Sequence, residues 1–302
     1  SFIATTGLLG AYLGYPGLRK AHAATTCTVT TADDAGPGSL RQCLLDNSSG
    51  TISFAPSVTD TIALSSNLPQ VTLTSSLTIV GNGVDNTVID GREAYRLFRF
   101  VGDHDVTISG VTLRNADNDN TDGAALYSKS GSLNVRECAF SGNYSYFGGP
   151  AIRTKSGGDV TITNSTFTDN RSEYAGGAVR TEDGSITVTS STFSNNRATY
   201  LYFGDGGAII STGGDIVVSG STFAGNQASR HGGAIAAGNY GLGVAVEISN
   251  STFTNNSAGG SGAAIYSRNG TGSIAINFST VSGNTTSGGS SGALHAVGSL
   301  SV

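Results

Sequence analysis

The stretch Ser221-Thr222-Phe223-Ala224-Gly225-Asn226, followed by Gly232-Gly233-Ala234-Ile235 and then by the alternating Val244-Ala245-Val246-Glu247-Ile248, is one copy of a sentence repeated between Gly131 and Asn284. Its first half recurs as Cys138 to Asn143, Ser165 to Asn170, Ser191 to Asn196, Ser251 to Asn256 and Ser279 to Asn284. Its second half recurs at Gly149-Pro150-Ala151-Ile152, Gly177-Ala178-Val179, Gly207-Ala208-Ile209, Gly262-Ala263-Ala264-Ile265 and Gly292-Ala293-Leu294. The closing asparagines lie 27, 26, 30, 30 and 28 residues apart. Periods of roughly 20 to 50 residues mark a solenoid, a propeller or an array.

Three observations choose among these. Val160/Ile162, Ile186/Val188, Ile216/Val218, Val246/Ile248 and Ile274/Ile276 are i, i+2 pairs, the strand period. Five residues separate the second apolar residue from the Phe of the next segment, as in Ile162 to Phe167 and Val218 to Phe223, and from Val281 in the last copy. A segment that admits no insertion is packed against its neighbours. A propeller blade needs roughly 40 residues or more, whereas this period leaves room for one coil of three short strands. The chain therefore reads as an all-β parallel β-helix, each coil about 4.8 Å above the last, with equivalent residues stacked into ladders. Asparagine is expected to hydrogen-bond along the axis and to supply the left-handed backbone of a tight corner. The glycine pairs are expected at the opposite corner.

The Phe-x-x-Asn and Gly-Gly-Ala-Ile motifs together resemble the polymorphic outer-membrane-protein type of repeat found in bacterial surface and autotransporter passenger proteins. More broadly the chain resembles right-handed parallel β-helix, pectin-lyase-like proteins, over about residues 100 to 302. That resemblance implies the right-handed fold and a surface location, and it says little about activity. The pectin-lyase-like catalytic motifs are missing here, so no catalytic residue carries over.

Composition agrees with a stacked, turn-rich chain: 44 glycines in 302 residues, 12% charged residues, and neither Met nor Trp. A net charge of −5 without a basic stripe excludes nucleic acid as a partner. Phe2 to Leu18 are apolar and small, and Arg19-Lys20 and Ala21-His22-Ala23 follow, so residues 1–23 are expected to be the tail of a secretory signal peptide, the alternative being an N-terminal strand without fixed structure. Residues 24–75 form an N-terminal cap with the first irregular strands, in which Ser39-x-x-Gln42 opens a short helix with Leu40, Cys43 and Leu44 on one face. Residues 76–302 carry about eight regular coils, starting with Ile79 and Val84 at the five-residue offset and with Asn115 as an early ladder member. The array is expected to be truncated at its C-terminus, since no polar terminal cap is visible. Cys138 takes the ladder serine's place. Cys27 and Cys43 flank the cap and either pair in an oxidising compartment or remain thiols.

Two sets of residues could form a site. The strand after Gly-Ala-Ile brings Arg153, Lys155, Arg180 and Glu182 into adjoining coils, as a base and carboxylate clamp for an acidic sugar or as a solvated face. After the ladder asparagines come Tyr144, Tyr146 and Phe147, then Tyr174, then Tyr200, Tyr202 and Phe203, beside Arg171 and Arg197. These aromatics either bind a sugar or a protein or fold over the corner and shield it. Asp33 and Asp34, and the turn Asp117 to Gly123, read as polar turns rather than cation sites. No metal-ligand spacing exists and no cofactor is expected. The leading reading is a secreted or cell-surface (outer-membrane) solenoid, adhesin-like or a passenger segment. Its partner would be a surface glycan or protein, and any membrane attachment would run through a C-terminal anchor. The alternative is a polysaccharide lyase or glycoside hydrolase, for which the paired acids of glycoside hydrolysis are not evident.

Overall fold

The computed structural model describes residues 26–117, 123–238, 243–268, 272–288 and 292–302. The expected signal-peptide tail and most of the Asp117–Gly123 turn lie outside them. The described chain winds as a parallel β-solenoid. One coil runs through Ile152–Lys155, Val160–Thr163, Thr166–Thr168 and Arg171–Ser172, then returns to Val179–Thr181 one rung up. Every pairing follows the repeat: Ile162 opposite Val188, Phe167 opposite Phe193, Ile152 opposite Val179, all parallel.

The sheets contain 11, 9, 9 and 6 strands. Three strands per coil were expected, and the structure adds a fourth: the two-residue strands Tyr144–Ser145, Arg171–Ser172, Arg197–Ala198, Gln227–Ala228, Ser257–Ala258 and Thr285–Thr286. A two-residue strand has no room for alternation, so periodicity could not show it. The longest sheet also exceeds the eight coils counted from Ile79. Thr26–Val29, Gly50–Phe54 and Ser299–Ser301 extend it, with Cys27 opposite Ile52 and Ile52 opposite Ile79. The N-terminal cap thus continues the core sheet.

The interior is a set of ladders. Phe140, Phe167, Phe193, Phe223 and Phe253 are fully buried, with ring centroids 4.5 to 4.8 Å apart and planes within 4°. That separation is the inter-strand spacing itself. Ser165, Ser191, Ser221 and Ser251 form a second ladder: each Oγ accepts the backbone N–H of the coil below and donates to the carbonyl two residues back. Cys138 begins this ladder, its Sγ beside the carbonyl of Arg136, and burial pushes its thiol up to about 11. Such a thiol behaves as a small buried residue rather than a nucleophile.

Three sequence assignments shift by a few residues. The Phe-ladder position in the coil of Ile79 is Ile89, opposite Leu113, and not Val84. Val84 sits in a turn whose carbonyl accepts from Thr112, so that coil carries an inserted turn before its strand. The ladder neighbour below Asn143 is Ala116, whose N–H donates to Asn143 Oδ1. Asn115 instead holds the left-handed backbone (φ 49°) and donates to Asp90. This offset is general. The left-handed residue is the one before the ladder asparagine: Gly142, Asp169, Asn195, Gly225, Asn255 and Gly283. The ladder asparagine thus serves hydrogen bonding alone.

The two glycines of each pair have different reasons. The first, as in Gly176 and Gly206, has positive φ, where a Cβ is strained. The second, as in Gly177, lies so close to the next coil that a Cβ would strike the carbonyl oxygen of Gly207.

The helix Leu40–Asp46 covers the N-terminal end, burying Leu40, Cys43 and Leu44. Ser39 Oγ accepts from Gln42 N at 3.1 Å, while the Gln42 side chain turns to Asp46, so only half of the capping box forms. Cys27 and Cys43 are joined in a disulfide with Cα atoms 5.7 Å apart. Asp34 binds Arg41 at 2.6 Å and accepts from Ser65. Burial acts to raise its carboxyl, but the Ser65 and Arg41 bonds outweigh it and hold it below the usual carboxylate value. Asp34 is therefore spent on fastening the helix to the first coils.

Candidate functional site

The strand after each Gly-Gly pair turns one side chain per coil outward, in the order Arg99, Tyr127, Arg153 and Arg180. Arg99 lies over the Tyr127 ring at 4.4 Å. Arg153 does not behave as a solvated charge: it is 1% exposed, the largest fully buried side chain among the described residues. It pairs with Glu182 of the next coil, and Lys155 stands 3.9 Å from the same carboxylate oxygen. Arg180 Nη1 donates to the Phe147 carbonyl at 2.6 Å, tying this strand to the aromatic turn.

That bond brings the two predicted sets together. Phe147, Tyr174, Arg153, Lys155, Arg180 and Glu182 line one depression of about 330 Å³. Among the described residues that line it, three are cations and one, Glu182, is a carboxylate, which faces Arg153 and Lys155. A wider groove of about 670 Å³ runs along the corner past Val80, Gly110, Glu137, Cys138 and Asn164, and among the described residues lining it Glu137 is the one charged side chain.

The aromatic side chains largely satisfy one another. Tyr146 packs on Phe147 and Tyr174 at 5.0 and 5.4 Å. Tyr174 stacks on Tyr200 at 5.0 Å and on Phe203 at 5.4 Å, with planes within 12°. Stacked coils thus do gather these rings at one corner. Tyr144 and Arg197 stand apart from them, on the two-residue strands. Tyr144 faces Arg171 and reaches Glu173 at 3.4 Å, and Arg197 lies one rung above Arg171. Burial beside Glu173 raises the Tyr144 hydroxyl. Leu201 and Tyr202 project beyond the cluster as the tip of the loop 199–205, with Phe203 half exposed at its edge.

Sequence reasoning missed what holds this loop. Asp205, buried at its neck, lies 3.5 Å from Arg230 and 3.6 Å from Arg268, and accepts from His231 N at 3.1 Å. Burial pushes its carboxyl above the ordinary range, although both arginines pull the other way. His231 stacks on Tyr266 at 4.4 Å, and Tyr266 on His295 at 5.1 Å. Burial, then Arg230 and Arg268, lower the His231 imidazole to about 4. Its Nδ1 accepts the Ser261 N–H, an arrangement open only to an unprotonated nitrogen. Asp205, Arg230 and Arg268 come from three successive coils and occupy non-repeating positions, so no local pattern flags them.

The chain belongs to the right-handed β-helix family: the family described as right handed beta helix region matches residues 97–301. No curated protein matches the chain. The family match defines a fold and not an activity, so function has to be argued from the site.

Proposed function

We propose that this chain is a secreted or cell-surface β-solenoid, adhesin-like or a passenger segment, that works by presenting a rigid contact edge rather than by catalysis. The observation that carries this reading is the pairing of Glu182 with buried Arg153. Among the described residues that line the depression, Glu182 is the one carboxylate, and it is engaged by Arg153 and Lys155 rather than left to act as an acid or base. What that edge turns to solvent is a fixed row of aromatic side chains ending in Tyr202, suited to contact with a cell surface. The Cys27–Cys43 disulfide supports an oxidising compartment. The repeat motifs support the passenger comparison, since each coil renews the Phe, Ser and Asn ladders and almost none repeats a chemical group.

One observation favours the second reading, a polysaccharide lyase or hydrolase: Arg153, Lys155 and Arg180 converge on one depression, as a grip on an acidic sugar would require. Incubation with acidic polysaccharides separates the two. The contact reading expects no new reducing ends and no unsaturated products, and near-normal binding to intact cells by the Arg180→Ala/Glu182→Gln variant. Product release that this double substitution abolishes would replace it with the enzyme reading.

A further inference from the structure

The loop 199–205 ends in Leu201, Tyr202 and Phe203, which are 74%, 71% and 52% exposed. Its neck is held at four points. The Tyr200 carbonyl accepts from Ser229 Oγ at 2.7 Å, and the Tyr202 carbonyl accepts from Arg230 Nη1 at 2.9 Å. The Gly204 carbonyl accepts from Arg230 N, and Asp205 faces Arg230 and Arg268. The fold thus fixes the loop's base while leaving Leu201 and Tyr202 largely in water and Phe203 half exposed behind them, one face against Tyr174 and Tyr200. Burying them is worth a great deal, so this exposure calls for an occupant.

Three observations choose it. A sugar platform needs several free ring faces, and with Tyr174, Tyr200 and Phe203 stacked on one another Tyr202 alone of these rings offers one. A globular protein partner needs about 800 Å² per side, and three side chains exposed to this extent offer roughly 400 Å². A lipid interface needs neither. It accepts a small projecting tip of Leu, Tyr and Phe, provided a second, electrostatic attraction adds to the insertion.

That second attraction is present. Arg197 is exposed on the two-residue strand just before the loop, and Arg230 stands at the neck. The nearby acids are engaged: Glu173 with Arg171 and Thr199, Asp205 with two arginines. In a chain of net charge −5 the outward charge around this tip is therefore cationic.

We propose that Leu201, Tyr202 and Phe203 insert into the interfacial layer of a lipid surface bearing anionic headgroups, with the exposed Arg197 facing those headgroups. This rests on the contact-edge reading and names a partner for its tip. The sequence offered membrane attachment only through a C-terminal anchor, and this is a separate, reversible contact.

The chain has no tryptophan, so Tyr202→Trp places a single indole at the tip. The test is sedimentation of the full chain with vesicles of phosphatidylcholine alone and of phosphatidylcholine mixed equally with phosphatidylglycerol. The expected result is binding to the mixed vesicles, released by salt, with a blue-shifted indole emission. Leu201→Asp with Phe203→Asp should weaken it more than tenfold, and Arg197→Ala by about fivefold, the equivalent of about 1 kcal/mol per cation near an anionic surface. Thermal melts show that each variant is folded, and the indole reports on the tip even if the double aspartate variant is not. Absence of sedimentation, equal sedimentation with both vesicles, or binding with unchanged indole emission each overturns the proposal. None of these overturns the contact-edge reading, whose own test is binding to intact cells.

Discussion

Asn196 donates one amide hydrogen to Asn226 Oδ1 at 2.9 Å and the other to the Phe167 carbonyl at 3.0 Å. Its own Oδ1 accepts both the amide and the backbone N–H of Asn170. Every polar atom of the side chain is thereby used, in a site with no access to water. Repeated from Asn143 to Asn284, this ties each coil to both neighbours through side chains as well as backbone.

Asn196→Ala leaves the Asn170 donors and the Phe167 carbonyl unpaired, at about 1 to 3 kcal/mol for a buried group left without its partner. Asn284→Ala, at the half-exposed end of the ladder, should cost less than half as much because water replaces the lost bonds. Denaturant unfolding of the two variants measures the difference. Equal costs would mean that the ladder is not the source of the stabilisation.

Phe278 is a bulky residue at φ 50° and is 91% exposed. Its equivalents in other coils include Asn164 and Asn250, which tolerate the left-handed region better. Phe278→Asn should therefore raise stability by about 1 kcal/mol, read as a higher denaturant midpoint. An unchanged or lowered midpoint would show that the ring makes a contact worth more than the strain.

The disulfide encloses a separation of 16 residues. Replacing both cysteines by serine should lower stability by about 3 kcal/mol, with the loss concentrated in the cap, where hydrogen exchange of Val29 and Ile52 would rise first. Uniform exchange loss along the solenoid would contradict a local role.

His231 is held unprotonated down to about pH 4, against an ordinary value of 6.5. A base whose folded value is depressed contributes stability above its unfolded value, and loses it as pH falls from about 6.5 towards 4. His231→Gln should flatten the stability profile in that window. Asp205, raised in the fold, contributes with the opposite sign: its share is present at acid pH and fades as pH rises through its folded value. An imidazole titration midpoint near 6.5 by NMR would remove the basis for the His231 prediction.

The ladders were legible because each is written six times at a fixed offset, and a single register satisfies them all. The errors fall where the repeat is silent. Val84 follows the five-residue rule in sequence, but the turn through Gly83 and Asn86 inserts residues before Ile89, so the offset there is coincidental. Asn115 and Ala116 are adjacent, and only the pairing of Leu113 with Phe140 says which one faces the ladder. The candidate site was legible as two lists, Arg153 to Glu182 and Tyr144 to Phe203. Their meeting was not, because it depends on Arg180 reaching the Phe147 carbonyl across 33 residues. The burial of Arg153 was hidden for the same reason: a charged residue on an outward strand position reads as solvated until its neighbours are placed.

The most direct measurement of the central claim is binding of the intact chain, its Tyr202→Asp variant and its Arg180→Ala/Glu182→Gln variant to intact cells, with polysaccharide breakdown followed in parallel. Recognition through the exposed edge predicts that Tyr202→Asp loses most binding, that the double variant keeps it, and that no polysaccharide is cleaved. Cleavage abolished by the double variant, with binding indifferent to Tyr202, would contradict it.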